Sequence, residues 1–418
     1  MTTKKSIIFF FPYYDVSGVP VLFIRFAKAL SKLNYEVSVV DFEGGYMHGK
    51  IKNDASINFI QFKKQELLKF EKNSTIIMQS ILPNTMPKNL IFDDSNKIIF
   101  WSLYQANFIP TIIPIDRIRN FQYANPKFFN FFKKYILKKY IKDLSKLVNT
   151  LHAKNGLIFM SFDVYDFTKK FLDLNFQNPQ LMPVCIDGSE KIQLSKVNKD
   201  SKKIKILWIG RLGDFKIHIL NYLIKCLNNS FHLNQYKIIL DIVGSGDYKF
   251  EIPKKQHPNF SIFHHENINH IQVKDYLLNT DICASMGTSA IESARYGIPT
   301  ISLDFYYSKI SFNYKFKWIY QNNQYDLGAL IDSSKHAGDD SELDLRLNEL
   351  IINHEKISDK TFNYFNINHD IKNHISSFEK YINNSNFYFT DFNPNSLKKS
   401  VFRKLYESFR RLFIEELW

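Results

Sequence analysis

Cysteine is almost absent: Cys185, Cys226 and Cys283 are the only three in 418 residues. They are odd in number and widely spaced, so the sequence spells neither a disulfide framework nor a thiolate metal site. A reducing compartment is the expectation. Glycine and proline are sparse at 14 and 13, which excludes a low-complexity or linker-dominated chain. No apolar run approaches the roughly 18 residues that cross a bilayer. Basic residues precede the apolar run at 7–11, as in a signal peptide, but Pro12 ends that run too early for an h-region. It is expected to be a first buried strand. The sequence also has no D-x-D carboxylate pair, no H-E-x-x-H and no G-x-S-x-G, so no metal is expected and three hydrolase and transferase chemistries lose their signatures.

What is present points to a folded α/β chain. Hydrophobic residues make up 45%, with 39 Phe and 23 Tyr, enough to bury two or three cores at this length. The formal charge is +14, which draws the chain to anions: nucleic acid, a membrane surface or phosphorylated substrates. Residues 7–11 and 37–42 read as strands around a helix at 19–33. That helix carries Val19, Leu22, Phe23, Phe26, Ala27, Leu30 and Leu33 on one face. Strand, glycine loop at Gly18, helix, strand is the opening of a doubly wound domain. Further strands are expected at 75–78, 98–101, 156–160 and 180–187, and a helix at 163–174.

Residues 187–203 are polar, charged and aperiodic, and read as a linker. A second domain then opens with the strand 204–209, the loop GRLGDFK and a helix at 217–228. Arg211 and Lys216 share that loop. A departing nucleoside diphosphate gains negative charge, and fixed cations stabilise it; the same residues also suit a solvated loop. A strand at 237–243 leads to Gly244-Ser245-Gly246, which lacks the third glycine of a dinucleotide fingerprint. His264 and His265 are adjacent on a strand end, face opposite ways, and so do not form a metal site.

Residues 280–304, TDICASMGTSAIESARYGIPTISLD, read as strand, tight loop, helix, strand. Gly287, Thr288 and Ser289 open the helix, where free backbone N–H groups and the positive dipole end suit a phosphate, as they suit an ordinary N-cap. Glu292 is expected in about the first turn, placed to accept from a ribose hydroxyl pair. Gly297 and Pro299 stop the helix. Beyond 304, helices are expected at 343–353 and 367–383, a polar break at 383–394 and an amphipathic helix at 396–417.

This segment resembles the donor-nucleotide motif of GT-B glycosyltransferases, particularly the large retaining family whose motif is E-x7-E followed by A-x-x-x-G-x-P. Glu292 matches the second glutamate, and Ala294, Gly297 and Pro299 match the tail. Ala284 stands where the first glutamate would be, which leaves that family's usual contact to the donor sugar without a residue. The resemblance implies two doubly wound, Rossmann-like domains facing a cleft, with C-terminal helices. It places them at 1–187 (acceptor side) and 204–380 (nucleotide-sugar side), joined by a linker at 188–203 and followed by an extension at 381–418.

The implied activity is transfer of a sugar from a nucleotide-sugar donor to a glycan or lipid-linked acceptor, with retention and without a metal or other cofactor. Arg211 and Lys216 would be catalytic. Donor contacts would come from Gly18, Gly210, Arg211, Lys216, His265, Glu266, Gly287, Thr288, Ser289 and Glu292, with His265 and Glu266 assigned by resemblance alone. Other GT-B activities, such as an epimerase or a phosphopolyol transferase, and a non-catalytic scaffold subunit stay open beside it.

Two stretches are both basic and aromatic. Residues 126–147 hold seven lysines against one aspartate, and 396–417 hold six Lys/Arg against three Glu. Such faces fit a monotopic contact with anionic lipid, or else pack their apolar side inward with the lysines solvated. No recognised nucleic-acid-binding module appears, so nucleic acid is not expected as a partner. The expected place is the cytoplasm, peripheral at the inner face of the cytoplasmic membrane, in surface lipopolysaccharide or capsule assembly.

Overall fold

Parallel strands buried on both faces read as continuous apolar runs, and the segments Ile7 to Phe10 and Ile76 to Met78 are of this kind, almost wholly buried. The computed structural model describes residues 4–81, 83–105, 107–108, 130–131, 134–135, 138–188, 202–268, 270–331 and 342–392. The chain divides into two compact units: one runs up to Cys185 and is completed by the chain from His374 onward, and the other is Ile186–Asn373.

In the first unit the strands are β1 (Lys5–Phe10), β2 (Tyr35–Asp41), β3 (Ile57–Gln61), β5 (Thr75–Gln79), β7 (Lys97–Ser102) and β8 (Leu157–Phe159), in the order β3-β2-β1-β5-β7-β8. All pairs in this sheet are parallel. The short β4 (Leu68–Lys69) and β6 (Leu90–Ile91) pair separately. Helix α1 (Gly18–Ser31) buries Leu22, Phe23, Phe26, Ala27 and Leu30, the face its spacing predicts, and Pro20 sits in the first turn where a missing N–H costs nothing. The short helix α2 (Tyr46–Ile51) follows β2. Helix α3 (Lys138–Ala153) turns Ile141, Leu144, Leu147, Val148 and Leu151 into the core. Helix α4 (Phe162–Leu172) is capped by Ser161, whose hydroxyl accepts from the N–H of Val164.

The second unit repeats the plan. Its strands are β9 (Lys203–Ile209), β10 (Lys237–Val243), β11 (Phe260–His265), β12 (Ile282–Ser285), β13 (Thr300–Ser302) and β14 (Lys317–Trp318), in the order β11-β10-β9-β12-β13-β14. Only β14 runs antiparallel to its neighbour among these pairs. Helices α5 (Ile217–Asn228), α6 (His270–Leu278) and α7 (Thr288–Ala294) connect them, and α8 (Glu342–His369) and α9 (Ile375–Asn384) follow.

Several expectations shift. Residues 374–380, expected in the second domain, belong to the first unit, and so do the described residues 381–392 of the extension. The reason is aromatic packing. Phe378 of α9 is fully buried, with its ring 4.6 Å from Phe26 and 5.1 Å from Trp101. Beyond it the Ile98 N–H donates to the Phe387 carbonyl at 2.9 Å, inside what reads as a polar break. The strand expected at 180–187 reduces to two isolated bridges, Leu181 beside β8 and Ile186 beside Asp370, with Pro183, which has no N–H to continue a ladder, between them.

The helices expected at 343–353 and 367–383 are α8, continuous through a kink at Asn353, and α9. The missed part of α8 buries His354, Ser358 and Thr361 alongside Ile357, Tyr364 and Phe365, so its inward face is half polar and hides its period. Most of the expected linker, and the helix at 396–417, lie outside the described residues.

Replacing Phe378 by Ala leaves a cavity between α1, β7 and α9. It is expected to cost about 3–5 kcal/mol of unfolding free energy, read from urea denaturation; a loss under about 1 kcal/mol would show that α9 is not anchored there.

Candidate functional site

In a doubly wound sheet, ligands bind beyond the carboxyl ends of the strands, where the strand order reverses. In the second unit that point lies between β9 and β12, which pair in parallel from Ile206↔Ile282 to Ile209↔Ser285. The loops leaving these two strands are 210–216 and 286–287. They contain Gly210, Arg211 and Lys216 on one side of the switch point and Gly287 on the other, with Thr288 and Ser289 opening α7.

The first loop is tightly wound. The Gly213 N–H donates to the Arg211 carbonyl, and those of Lys216 and Ile217 return to the Gly213 carbonyl at 3.0 and 3.1 Å. Arg211 is exposed. Lys216 is the residue before α5 and half-buried; its Nζ lies 3.4 Å from where a Cβ on Gly210 would stand and 5.7 Å from the Phe215 ring centre. Burial first, and the Arg211 charge second, pull its ammonium down to about 8. A lysine at a helix amino end also opposes the dipole there. Among the described residues no carboxylate pairs with it. Two cations and a helix amino terminus therefore converge on one place and repel one another.

Loop 210–216 is held from both sides. Gly244 and Gly246, at φ +151° and +158°, lie against it so closely that a Cβ would stand 2.0 Å from the Gly210 oxygen and 2.2 Å from the Leu212 oxygen. The Leu212 N–H donates to the Ser245 carbonyl at 3.0 Å. The weak glycine signal at 244–246 thus reflects close approach of two backbones. On the other side, the Tyr306 N–H donates to the Phe215 carbonyl at 3.1 Å, and the Phe305 ring lies edge-on to Phe215 at 5.5 Å.

Residues 304–307 are fixed by a carboxylate that sequence reasoning missed. Asp304 is buried and accepts from the Ala329 N–H at 2.9 Å and from the Tyr314 hydroxyl at 3.0 Å. Burial and the Asp304 charge push the Tyr314 phenol well above its ordinary range. The only sequence signal for this was an aspartate directly after an apolar strand.

At the second loop, Gly287 adopts φ +60° and its N–H donates to the Leu327 carbonyl at 2.7 Å. That amide is already engaged, so the loop offers fewer donors than expected. Helix α7 has no acid in its first turn: Glu292 stands one turn in, within 3.3 Å of Arg295. Gly297, at φ +76°, closes the turn after the helix, as its place predicts.

His265 and Glu266 lie at the end of β11, two strands from β9. His265 Nε2 pairs with Asp241 Oδ1 at 2.8 Å. Gly18 belongs to the first unit, at the first position of α1. The expected donor residues thus fall into three groups: the two loops at the switch point with Glu292, the β11 end, and Gly18 apart. Another carboxylate, Asp41 at the end of β2, is fully buried and accepts backbone N–H groups from Tyr13, Phe42, Met47 and His48, fixing the loop that precedes α1.

No protein-family model and no curated protein sequence matches the chain. Solved structures do. A glycosyltransferase from Rickettsia africae aligns over 91% of this chain and 98% of its own, at 13% identity and TM-score 0.52. TarM aligns over 91% and 99%, at 11% identity and TM-score 0.54. The pneumococcal O-GlcNAc transferase GtfA, solved with UDP and GlcNAc, aligns over 91% and 99%, at 10% identity and TM-score 0.50. The chain has the fold of these GT-B proteins, with two Rossmann-like units.

Proposed function

We propose that the chain is a glycosyltransferase that moves a sugar from a nucleotide-sugar donor to a glycan or lipid-linked acceptor, with retention. The observation that carries this reading is the pair of cations, Arg211 and Lys216, at the switch point of the second unit. Arg211, Lys216 and the amino end of α5 meet there, and burial first, with the Arg211 charge second, lowers the Lys216 ammonium to about 8. A diphosphate supplies the opposite charge. It gains more on departure, so the same groups stabilise the transition state more than the ground state.

The two cations take the part that a divalent ion plays elsewhere, and transfer proceeds without a metal. Gly210, Gly287, Thr288 and Ser289 line the diphosphate, Glu292 takes the ribose, and the β11 end at His265 and Glu266 takes the base. Gly18, in the first unit, is assigned to the donor as well. The solved UDP and GlcNAc complex of GtfA, a protein of the same fold, supports a nucleotide sugar as the donor class. A scaffold role without chemistry is the competing reading, because Ala284 replaces the family's first glutamate.

Arg211→Ala and Lys216→Ala are each expected to lower kcat on the order of 10²-fold or more, with a smaller change in donor affinity. The donor is to be chosen from UDP-, GDP-, ADP- and CMP-sugars by thermal shift, since a ligand well above its Kd stabilises by kilocalories. Turnover as in the parent by both variants, or loss of activity in EDTA, would refute the mechanism. Absence of donor hydrolysis with every sugar nucleotide would favour the scaffold.

We assign the acceptor's lipid character, and with it a peripheral membrane place in bacterial surface-polysaccharide assembly, from the basic aromatic surface of the first unit. Within the stretch 126–147, the lysines and exposed aromatics support this contact better than the apolar helix face does. Leu144 of α3 is buried in the core, so the helix does not offer its apolar face to lipid. Lys138, Lys139, Lys142 and Lys146 point outward instead. Before them stand Phe131 and Tyr135, 56% and 63% exposed, with rings 5.0 Å apart and Lys134 against Tyr135. No helix among the described residues is long and apolar enough to cross a membrane. The protein is expected to float with anionic vesicles and detach at high salt. Replacing Lys134, Lys138, Lys139 and Lys142 by Gln should abolish flotation, and undiminished flotation would refute this surface.

A further inference from the structure

Strands β9, β10 and β11 lie side by side, and their carboxyl ends are stacked by contacts that all run toward Arg211. His264, the penultimate residue of β11, places Nε2 2.8 Å from the Gly244 carbonyl oxygen. Its ring is fixed from outside by the Phe250 ring, edge-on at 5.1 Å, and Nδ1 stands 3.6 Å from Glu266 Oε1. The Gly244 N–H in turn donates to the His265 carbonyl at 3.0 Å. Both polar groups of Gly244 are thus held by the end of β11.

One peptide further on, the Ser245 carbonyl accepts the Leu212 N–H at 3.0 Å, and the Gly210 N–H donates to the Val243 carbonyl at 3.1 Å. Arg211 is suspended between those two attachments. Side chains at 244 and 246 would collide with the loop. The glycines therefore provide contact but no grip of their own. The side-chain hydrogen bond that fixes the Gly244 carbonyl comes from His264.

We propose that His264 is a positioning residue for the transfer reaction: by donating from Nε2 to the Gly244 carbonyl it sets the place of Arg211 through the Gly244–Ser245 peptide. This rests on the assignment of Arg211 to the leaving diphosphate. The imidazole touches neither donor nor acceptor in this account, and no proton moves through it. What it contributes is geometry. A displacement of about 1 Å at a charge-stabilising group can cost 10²-fold in rate, and one neutral hydrogen bond is worth about 1 kcal/mol. An intermediate loss is therefore expected.

The test is a double-mutant cycle in the full chain, with kcat and donor KM measured for each variant. His264→Ala is expected to lower kcat about tenfold and leave donor KM within about twofold. In the Arg211→Ala background the same change should cost less than about twofold in kcat, because the route through Arg211 is gone, whereas an effect through the neighbouring Glu266 would persist and appear in donor KM. His264→Gln, whose amide reaches the same carbonyl, should recover most of the rate, and His264→Asn, one methylene shorter, should not. Thermal unfolding of each variant accompanies the kinetics; if the Ala variant does not fold, the Gln and Asn pair and their Arg211→Ala doubles carry the comparison. Multiplicative losses in the doubles, or equal rates for Gln and Asn, would overturn this role while leaving the donor site intact. Full activity of Arg211→Ala alone would instead overturn the reading on which it rests.

Discussion

Two cations set close together on one short loop are the constraint around which the switch point of the second unit is arranged. Arg211 and Lys216 share a loop of a few residues at the amino end of α5, and each raises the cost of the other's charge. Arg211 is exposed and Lys216 half-buried. The backbone that carries them is fixed from both sides, by Gly244 and Gly246 against Gly210 and Leu212, and by Tyr306 against Phe215. Asp304, a carboxylate the unit could have used for neutralisation, is turned inward to hold Ala329 and Tyr314.

The two units share a strand order but differ at the switch point. In the first, a buried acid, Asp41, ties Tyr13 of the loop after β1 to the turn after β2 by accepting backbone N–H groups from both. In the second, the loop after β9 carries Arg211 and Lys216. The same topology therefore presents different local chemistry at the two switch points.

Much of this was legible in the sequence because parallel sheets announce themselves. The apolar runs IIFF, TIIM and KILWI, the first and last followed by a loop and an amphipathic helix, place the strands within a residue or two. Gly297 before Pro299 marked the end of α7 correctly. What was illegible depended on partners distant in sequence. Phe378 and Phe387 look like isolated aromatics in polar surroundings until β7 and α1 supply their contacts. Helix α8 hides its period behind buried His354, Ser358 and Thr361. The Gly244-Ser245-Gly246 turn resembled a failed nucleotide fingerprint because the surface it meets is another loop of the protein. Glu292, expected in about the first turn, stands just past it, since the helix opens at Thr288.

The central claim, that a diphosphate completes the charge at Lys216, is tested most directly by proton linkage. Lys216 titrates near 8 in the free protein, and a bound anion raises it, so binding between about pH 8 and 9 must take up protons while affinity falls as pH rises through that window. Calorimetric titration with UDP, GDP or ADP, whichever gives the largest thermal shift, in two buffers of different ionisation enthalpy measures that uptake. The account predicts uptake of a sizeable fraction of one proton near pH 8.5, abolished in Lys216→Met. Binding with no proton uptake and with constant affinity from pH 7 to 9.5 would contradict it.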